Sequence, residues 1–223
     1  MCGRYTLFKL ELLLQSFPWL ALPPGIRPRY NVAPTQPVLA VTNDRPDQLD
    51  LLRWGLVPSW AKDVSIGNRM INARAETLAE KPAFRSALQR RRCLVPADGF
   101  YEWRREPEGG KTPMFIRLRS GEPFMFAGLW DVWRSPEGEW LRSCTIITTS
   151  PNALMATLHD RMPAILPTDR CREWLAGGPG TDELLHQPYP AKEMVASPVS
   201  REVNNPRSEN AGCIEGMTDP PVD

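Results

Sequence analysis

The chain has 223 residues, 42% of them hydrophobic and 24% charged, values that exclude a disordered, collagen-like or coiled-coil protein. The formal net charge of +1 hides an asymmetry: residues 1–105 carry 16 basic and 9 acidic side chains, and the remainder 11 and 17. Proline, at 24 positions, is about twice its usual share, which disfavours a bundle of long helices and favours short strands joined by bent loops.

Along the chain, Thr6 is placed to cap a helix over residues 7–17, with Leu10, Leu13, Leu14 and Phe17 on one face. A proline-rich loop follows, then Tyr30-Asn31-Val32-Ala33-Pro34, which must be extended before its proline. Residues 38–41 and 49–54 read as a strand pair, and Trp54-Gly55-Leu56-Val57-Pro58-Ser59-Trp60 as a loop carrying two large aromatics. Thr77 and Glu80 have capping-box spacing ahead of a helix over 82–91. Strands are expected at 93–97, 99–104, 114–119, 124–130 and 141–149, because these runs are short, β-branched or aromatic, and divided by turns such as Glu108-Gly109-Gly110. Short helices should open at Ser150-Pro151, Thr168 and Thr181. The pattern predicts one α+β domain over residues 1–205, an antiparallel, barrel-like β-sheet core with flanking short helices, followed by a loose polar tail at 206–223.

No segment is long and apolar enough to span a bilayer, and Lys9, Glu11 and Gln15 interrupt the apolar start, so neither a membrane nor a signal peptide is expected. Cytoplasmic placement follows, close to the nucleoid if the partner is DNA. Five cysteines without a CxxC pair, and two histidines, indicate no disulfide framework, no metal and no cofactor. Cys93 and Cys144 lie in strand-like runs as small core residues. A monomer is assumed.

Cys2 is different. Once Met1 is removed, Cys2 presents an α-amine and a thiol on one carbon skeleton, and much of such an amine is neutral near pH 7. Such a 1,2-aminothiol can use its amine as base for its own thiol, or condense with an aldehyde and close a thiazolidine ring. His159, at a helix end in Leu158-His159-Asp160-Arg161-Met162-Pro163, suits the rim of a pocket. Glu102, in Asp98-Gly99-Phe100-Tyr101-Glu102-Trp103, sits among aromatics where a carboxyl can exchange protons. Asn72 and Arg74 point to the same side if extended, an amide to orient a polar substrate and a guanidinium for a phosphate. His186 reads as surface. The 22 arginines, mostly in the basic half, fit an anionic partner such as nucleic acid.

Six segments then stand in order: Met1-Cys2-Gly3-Arg4, Tyr30 to Pro34, Trp54 to Trp60, Asn72-Ala73-Arg74 with Glu76-Thr77, Asp98 to Trp103, and His159 to Pro163. In this the chain resembles the SOS-response-associated peptidase (SRAP) family, abasic-site-processing proteins that crosslink to DNA. The resemblance implies binding to single-stranded DNA, or its junction with duplex, at an abasic site, and a thiazolidine crosslink through Cys2 that shields the lesion in the DNA damage response. It implies that Glu102 helps open the sugar and moves protons, Asn72 orients the adduct, and His159 donates or accepts a proton. Arg4, Arg74, Arg85 and Arg161 would meet phosphates, Asn31 and Thr148 would line the pocket, and Trp60 would stack on bases. Self-processing peptidase activity that exposes Cys2, associated also with a lyase-like release from the DNA, comes with the family name. One departure is Ala61, where the family often has a second bulky aromatic after Trp60. Two rival readings are a glutamine amidotransferase-like hydrolase, whose chains also begin Met-Cys-Gly, and a non-catalytic single-strand binder.

Overall fold

The computed structural model describes residues 2–216, which form thirteen strands and four α-helices. In chain order they are β1 (Tyr5–Leu7), α1 (Leu10–Ser16), β2 (Arg29–Val32), β3 (Pro37–Thr42), β4 (Arg45–Trp54), β5 (Asn72–Arg74), α2 (Pro82–Arg90) and β6 (Arg92–Ala97). There follow β7 (Gly99–Arg105), β8 (Lys111–Leu118), β9 (Phe124–Arg134), β10 (Trp140–Thr149), α3 (Ala153–Ala156), β11 (Met162–Pro163), β12 (Ile165–Leu166), α4 (Cys171–Ala176) and β13 (Met194–Pro198). Short 3-10 segments of three to six residues fill many of the connections.

Strands β4, β3, β6, β9 and β10 pair antiparallel in that order, and β10 returns to pair with β4. The result is a closed five-stranded barrel, which leaves no free edge in the ring. The expected barrel-like core is therefore present, with one difference: its closing seam is parallel, with Ser143 opposite Arg53 and Cys144 opposite Trp54. Trp54, Phe126, Leu94, Ile146, Cys93 and Cys144 are all wholly buried, each large side chain contributing roughly 1.5–3 kcal/mol through burial. Every residue of β6 is buried because α4 covers its outer side, where the Trp174 indole donates to the Cys93 carbonyl at 2.9 Å. Gly128 lets β9 pass between its neighbours, since a Cβ there would lie 2.7 Å from the Thr145 carbonyl and 2.9 Å from Cys93 Sγ.

Beside the barrel lies a second antiparallel sheet in the order β13–β8–β7–β1–β2. Alternation along β7 sends Phe100 into the main core, 6.0 Å from the Phe126 ring, and puts Tyr101 in a second cluster with Phe115, Val199, Val203 and Cys213. Glu102 shares the Phe100 side of the strand and is 4% exposed.

Several expectations need correction. The helix predicted over 7–17 is α1 alone, and Thr6, expected as its cap, lies in β1 and donates its hydroxyl to Asp98. Asp98 does the capping from a distance, its carboxylate accepting the Phe8 and Lys9 amides at 2.6 and 2.8 Å. Burial pushes the Asp98 carboxyl up, against these bonds, which pull it down. Thr77 ends a 3-10 turn and does not cap α2, whose N-cap is Lys81 without a side-chain bond. Residues 206–216, expected as a loose tail, pack onto β2. Glu209 accepts the Tyr30 and Asn31 amides at 2.6 and 2.9 Å and pairs with Arg29 at 2.7 Å, while Cys213 is wholly buried. The polar composition that suggested looseness is what satisfies the open edge of β2. Residues 217–223 of the expected tail lie outside the described residues.

Candidate active site

The end of β10 assembles the site. β5 runs parallel to one edge of it, Ile146 opposite Asn72 and Thr148 opposite Arg74, and β11 runs antiparallel to the other, Thr148 opposite Pro163. One short stretch of β10 therefore brings Asn72 and Arg74 together with the segment His159-Asp160-Arg161 that leads into β11. As an extended strand, β5 does send Asn72 and Arg74 to the same side, with Ala73 buried between them.

Cys2 arrives by a different route. β1 pairs with β7, Tyr5 opposite Phe100, and the Tyr101 amide donates to the Arg4 carbonyl at 3.0 Å, so the residues before β1 run along β7 towards Glu102. The Asn72 amide donates Nδ2–H to the Cys2 carbonyl at 2.8 Å, and among the described residues its Oδ1 is buried without a hydrogen-bond partner. Cys2 is 0% exposed in a chain that still begins with Met1. Burial pushes its thiol well above the ordinary cysteine value, and the nearby Glu102 charge pushes it further. The thiol is thus held as the neutral S–H, with a carboxylate close by.

Next to this lies a cavity of about 480 Å³ lined by Arg74, Arg105, Leu158, His159, Asp160 and Arg161. A smaller, more apolar one of 250 Å³ lies elsewhere, between Tyr5, Val38 and the Gly25–Arg29 loop, and contains none of the candidate residues. The polar cavity gathers the candidates His159, Arg74 and Arg161, while Cys2, Asn72 and Glu102 are not among its lining residues. His159 Nδ1 lies 2.7 Å from Asp160 Oδ1 and 3.0 Å from the Arg161 amide nitrogen. A protonated ring is matched by the first partner and a neutral ring by the second, so both states are accommodated in one rotamer.

The arginines divide into two kinds. Arg161 makes a two-pronged pair with Glu76 at 2.7 and 2.8 Å and donates to the Thr148 carbonyl at 2.6 Å. The Arg161 bond holds the Glu76 carboxyl below its ordinary value. Arg4 donates Nη1–H to Asn31 Oδ1 and to the Val203 carbonyl, at 2.8 and 2.9 Å, which leaves Nε and Nη2 for another partner. Arg74 and Arg105 are exposed, and neither side chain has a hydrogen bond or ion pair among the described residues. Arg85, on the exposed side of α2, does not line the cavity.

Asn31 and Thr148, expected as pocket lining, are both wholly buried. The Asn31 amide is engaged within the protein, donating to the carbonyls of Val203, Asn205 and Ser208 at 3.3, 2.9 and 2.9 Å, and Thr148 Oγ1 is 3.4 Å from the Ala73 carbonyl. Both build the frame around the site from within. Trp60 is 59% exposed, whereas Trp54 is core and donates Nε1–H to the Ile71 carbonyl at 2.9 Å. The Trp60 loop is pinned on both sides. The Ser59 amide donates to Asp131 at 3.0 Å, the Trp133 indole donates to the Ala61 carbonyl at 2.7 Å, and Gly55 approaches Gly67 more closely than any Cβ would allow. His186 is exposed, as expected.

Sequence reasoning missed Arg105 and Glu209, which stand in no spacing pattern that marks them. Glu76 was within a recognised segment, but its partner Arg161 lies 85 residues away. Among the described residues no cluster of His, Cys, Asp and Glu could hold a metal ion, no helix is long and apolar enough to cross a membrane, and all five cysteines are free and buried.

Comparison with known proteins places the chain among relatives of similar sequence and fold. Abasic site processing protein YoqW of Bacillus subtilis is 50% identical over 223 residues, covering 96% of this chain and 99% of that protein. Abasic site processing protein HMCES of Xenopus tropicalis is 35% identical over 193 residues, covering 76% of this chain and 57% of that protein. A crystal structure of a protein from Bordetella bronchiseptica superposes with a TM-score of 0.78 at 26% identity, covering 89% of this chain and 100% of that one. A second, from Bacteroides thetaiotaomicron, gives 0.77 at 28% identity over 84% and 85%. The family model described as SOS response associated peptidase (SRAP) matches residues 1–206, and the chain belongs to that family.

Proposed function

We propose that the chain processes abasic sites in single-stranded DNA, or at its junction with duplex, by capturing the ring-opened aldehyde on Cys2 once Met1 has been removed. The observation that carries this reading is a juxtaposition. The backbone carbonyl of Cys2 is held by Asn72 at 2.8 Å, its thiol feels the Glu102 charge, and the strand that supplies Asn72 carries Arg74 into a cation-rich cavity with His159.

The chemistry is a balanced condensation. The free amine of Cys2 adds to the aldehyde carbon, a water leaves, and an imine remains. The Cys2 sulfur then bonds to that carbon, and the thiol proton passes to the imine nitrogen, which closes the thiazolidine. A buried neutral thiol next to a carboxylate suits the second step, because Glu102 can take the S–H proton and return it to nitrogen without a thiolate ever standing alone. Asn72 Oδ1, buried without a partner among the described residues, can accept from the amine or its adduct. His159 can give a proton to the departing sugar oxygen or take one back, since both its states have partners. Trp60 offers a stacking face for an unpaired base, worth roughly 1–3 kcal/mol, and Ala61 beside it supplies no second face. Self-processing that exposes Cys2, and lyase-like release of the DNA, belong to the same proposal.

The test is intact mass after incubation with a single-stranded oligonucleotide bearing one abasic site. The expected mass is the protein without Met1 plus the DNA less one water, with no adduct on undamaged DNA. Cys2→Ser should abolish the adduct while reversible binding survives. An SDS-stable complex in that variant would sink the mechanism, and ammonia release from free glutamine would favour an amidotransferase instead.

A further inference from the structure

We propose that Arg105 is a phosphate-contacting residue of the site and that it and Arg74 form a two-armed clamp on the backbone of the bound strand. The inference rests on the DNA reading above and adds to it a residue which that reading does not include. Five charged or titratable side chains line the cavity of about 480 Å³: Arg74, Arg105, His159, Asp160 and Arg161. Arg161 is committed to Glu76 and the Thr148 carbonyl, and its side chain is only 14% exposed. Asp160 is the one carboxylate facing the cavity, 86% exposed and beside His159.

That leaves two exposed guanidiniums that form no ion pair or hydrogen bond among the described residues. Both stand on rigid strands, Arg74 at the end of β5 and Arg105 at the end of β7, so they reach the cavity from two different sheets. Their neighbours are disposed differently: Arg104 has Glu106 at 3.1 Å, and Arg161 has Glu76. Opposite Arg105 in the β7–β8 register stands Lys111, a further cation at that strand end. A cavity of this size, with two unpaired cations entering from separate walls and one carboxylate turned to His159, fits an anion that extends past a single contact, as a phosphodiester chain does.

The clamp is tested by fluorescence anisotropy with a single-stranded oligonucleotide bearing a tetrahydrofuran abasic analogue, which cannot open to an aldehyde and so reports reversible binding alone. Arg105→Ala should weaken binding about five- to tenfold at roughly 100 mM salt and lower the slope of log affinity against log salt by about 0.7. Arg105→Lys should restore the slope. Arg27→Ala, which removes the same charge beside the other cavity, serves as the control. Equal weakening by Arg27→Ala and Arg105→Ala, or an affinity and slope unmoved by Arg105→Ala, would overturn the clamp. An Arg105-dependent affinity in a protein that never forms an adduct would uphold the clamp while removing the Cys2 chemistry.

Discussion

Inside the barrel, Trp54, Phe126, Leu94 and Cys144 are wholly buried among apolar neighbours, and the ring closes on its own hydrogen bonds. In the sheet beside it, β1, β2 and β7 are tied by polar side chains from distant parts of the chain: Asp98 to the start of α1, Arg4 and Asn31 to residues 203–208, and Glu209 to β2. The catalytic candidates Cys2 and Glu102 both belong to this second region. The sheet shares the barrel's apolar core through Tyr5, Leu7 and Phe100, but around Cys2 and Glu102 it adds directional bonds that the ring needs less. Directional bonds fix a geometry within narrow limits, which a reaction needs, but each is worth only about 0.5–1.5 kcal/mol net.

The largest expected effect lies in the barrel. Trp54→Ala removes a wholly buried indole, its edge contact with Tyr5 at 5.4 Å and its bond to Ile71, and should cost about 3–5 kcal/mol in urea unfolding. A loss under about 1 kcal/mol would break the assignment of stability to the ring.

Asp98→Ala comes next. It leaves the Phe8 and Lys9 amides and the Thr6 hydroxyl without their acceptor, and should cost about 2–3 kcal/mol. Hydrogen exchange should show the loss concentrated at α1 and β1, and uniform deprotection of the barrel strands would contradict the division between the two regions.

The smallest effect is at Glu209. Burial raises its carboxyl, but Arg29 and the Asn31 and Tyr30 amides outweigh that, so its value lies below the ordinary one. A depressed carboxyl contributes stability that is fully present above about pH 5 and lost as pH falls through the folded value. Proteolysis within 206–216 should therefore speed up on acidification in the wild type, and Glu209→Ala should cost about 1 kcal/mol at neutral pH and remove that pH dependence. A dependence unchanged in the variant would place the acid-sensitive group elsewhere.

The barrel was the more legible of the two regions. Apolar runs and Gly/Pro turns locate all five strands of the ring, β3, β4, β6, β9 and β10, whereas in the sheet beside it they locate only β7 and β8. The parallel seam was not legible, since Cys144 and Trp54 carry no mark of which way their strands meet. β1 was misread because Tyr5-Thr6-Leu7 runs without a break into the apolar face of α1, and pairing with β7 decides its conformation. At the site, Cys2, Asn72, Glu102 and His159 stood in segments with a chemical sense of their own. Asn31 stood in such a segment too, yet its partners are carbonyls more than 170 residues away, a relation that no local spacing encodes. Arg105 was hidden for the opposite reason, as one arginine among many at the end of a strand.

The bond from Arg4 to the Val203 carbonyl joins residues 199 apart, next to the cysteine at the start of the chain. On a ribosome the first residues emerge long before residues 203–208 exist, so throughout synthesis the amino terminus lacks the partners that later hold it. Arg4 therefore gains these contacts only once the last residues have been made.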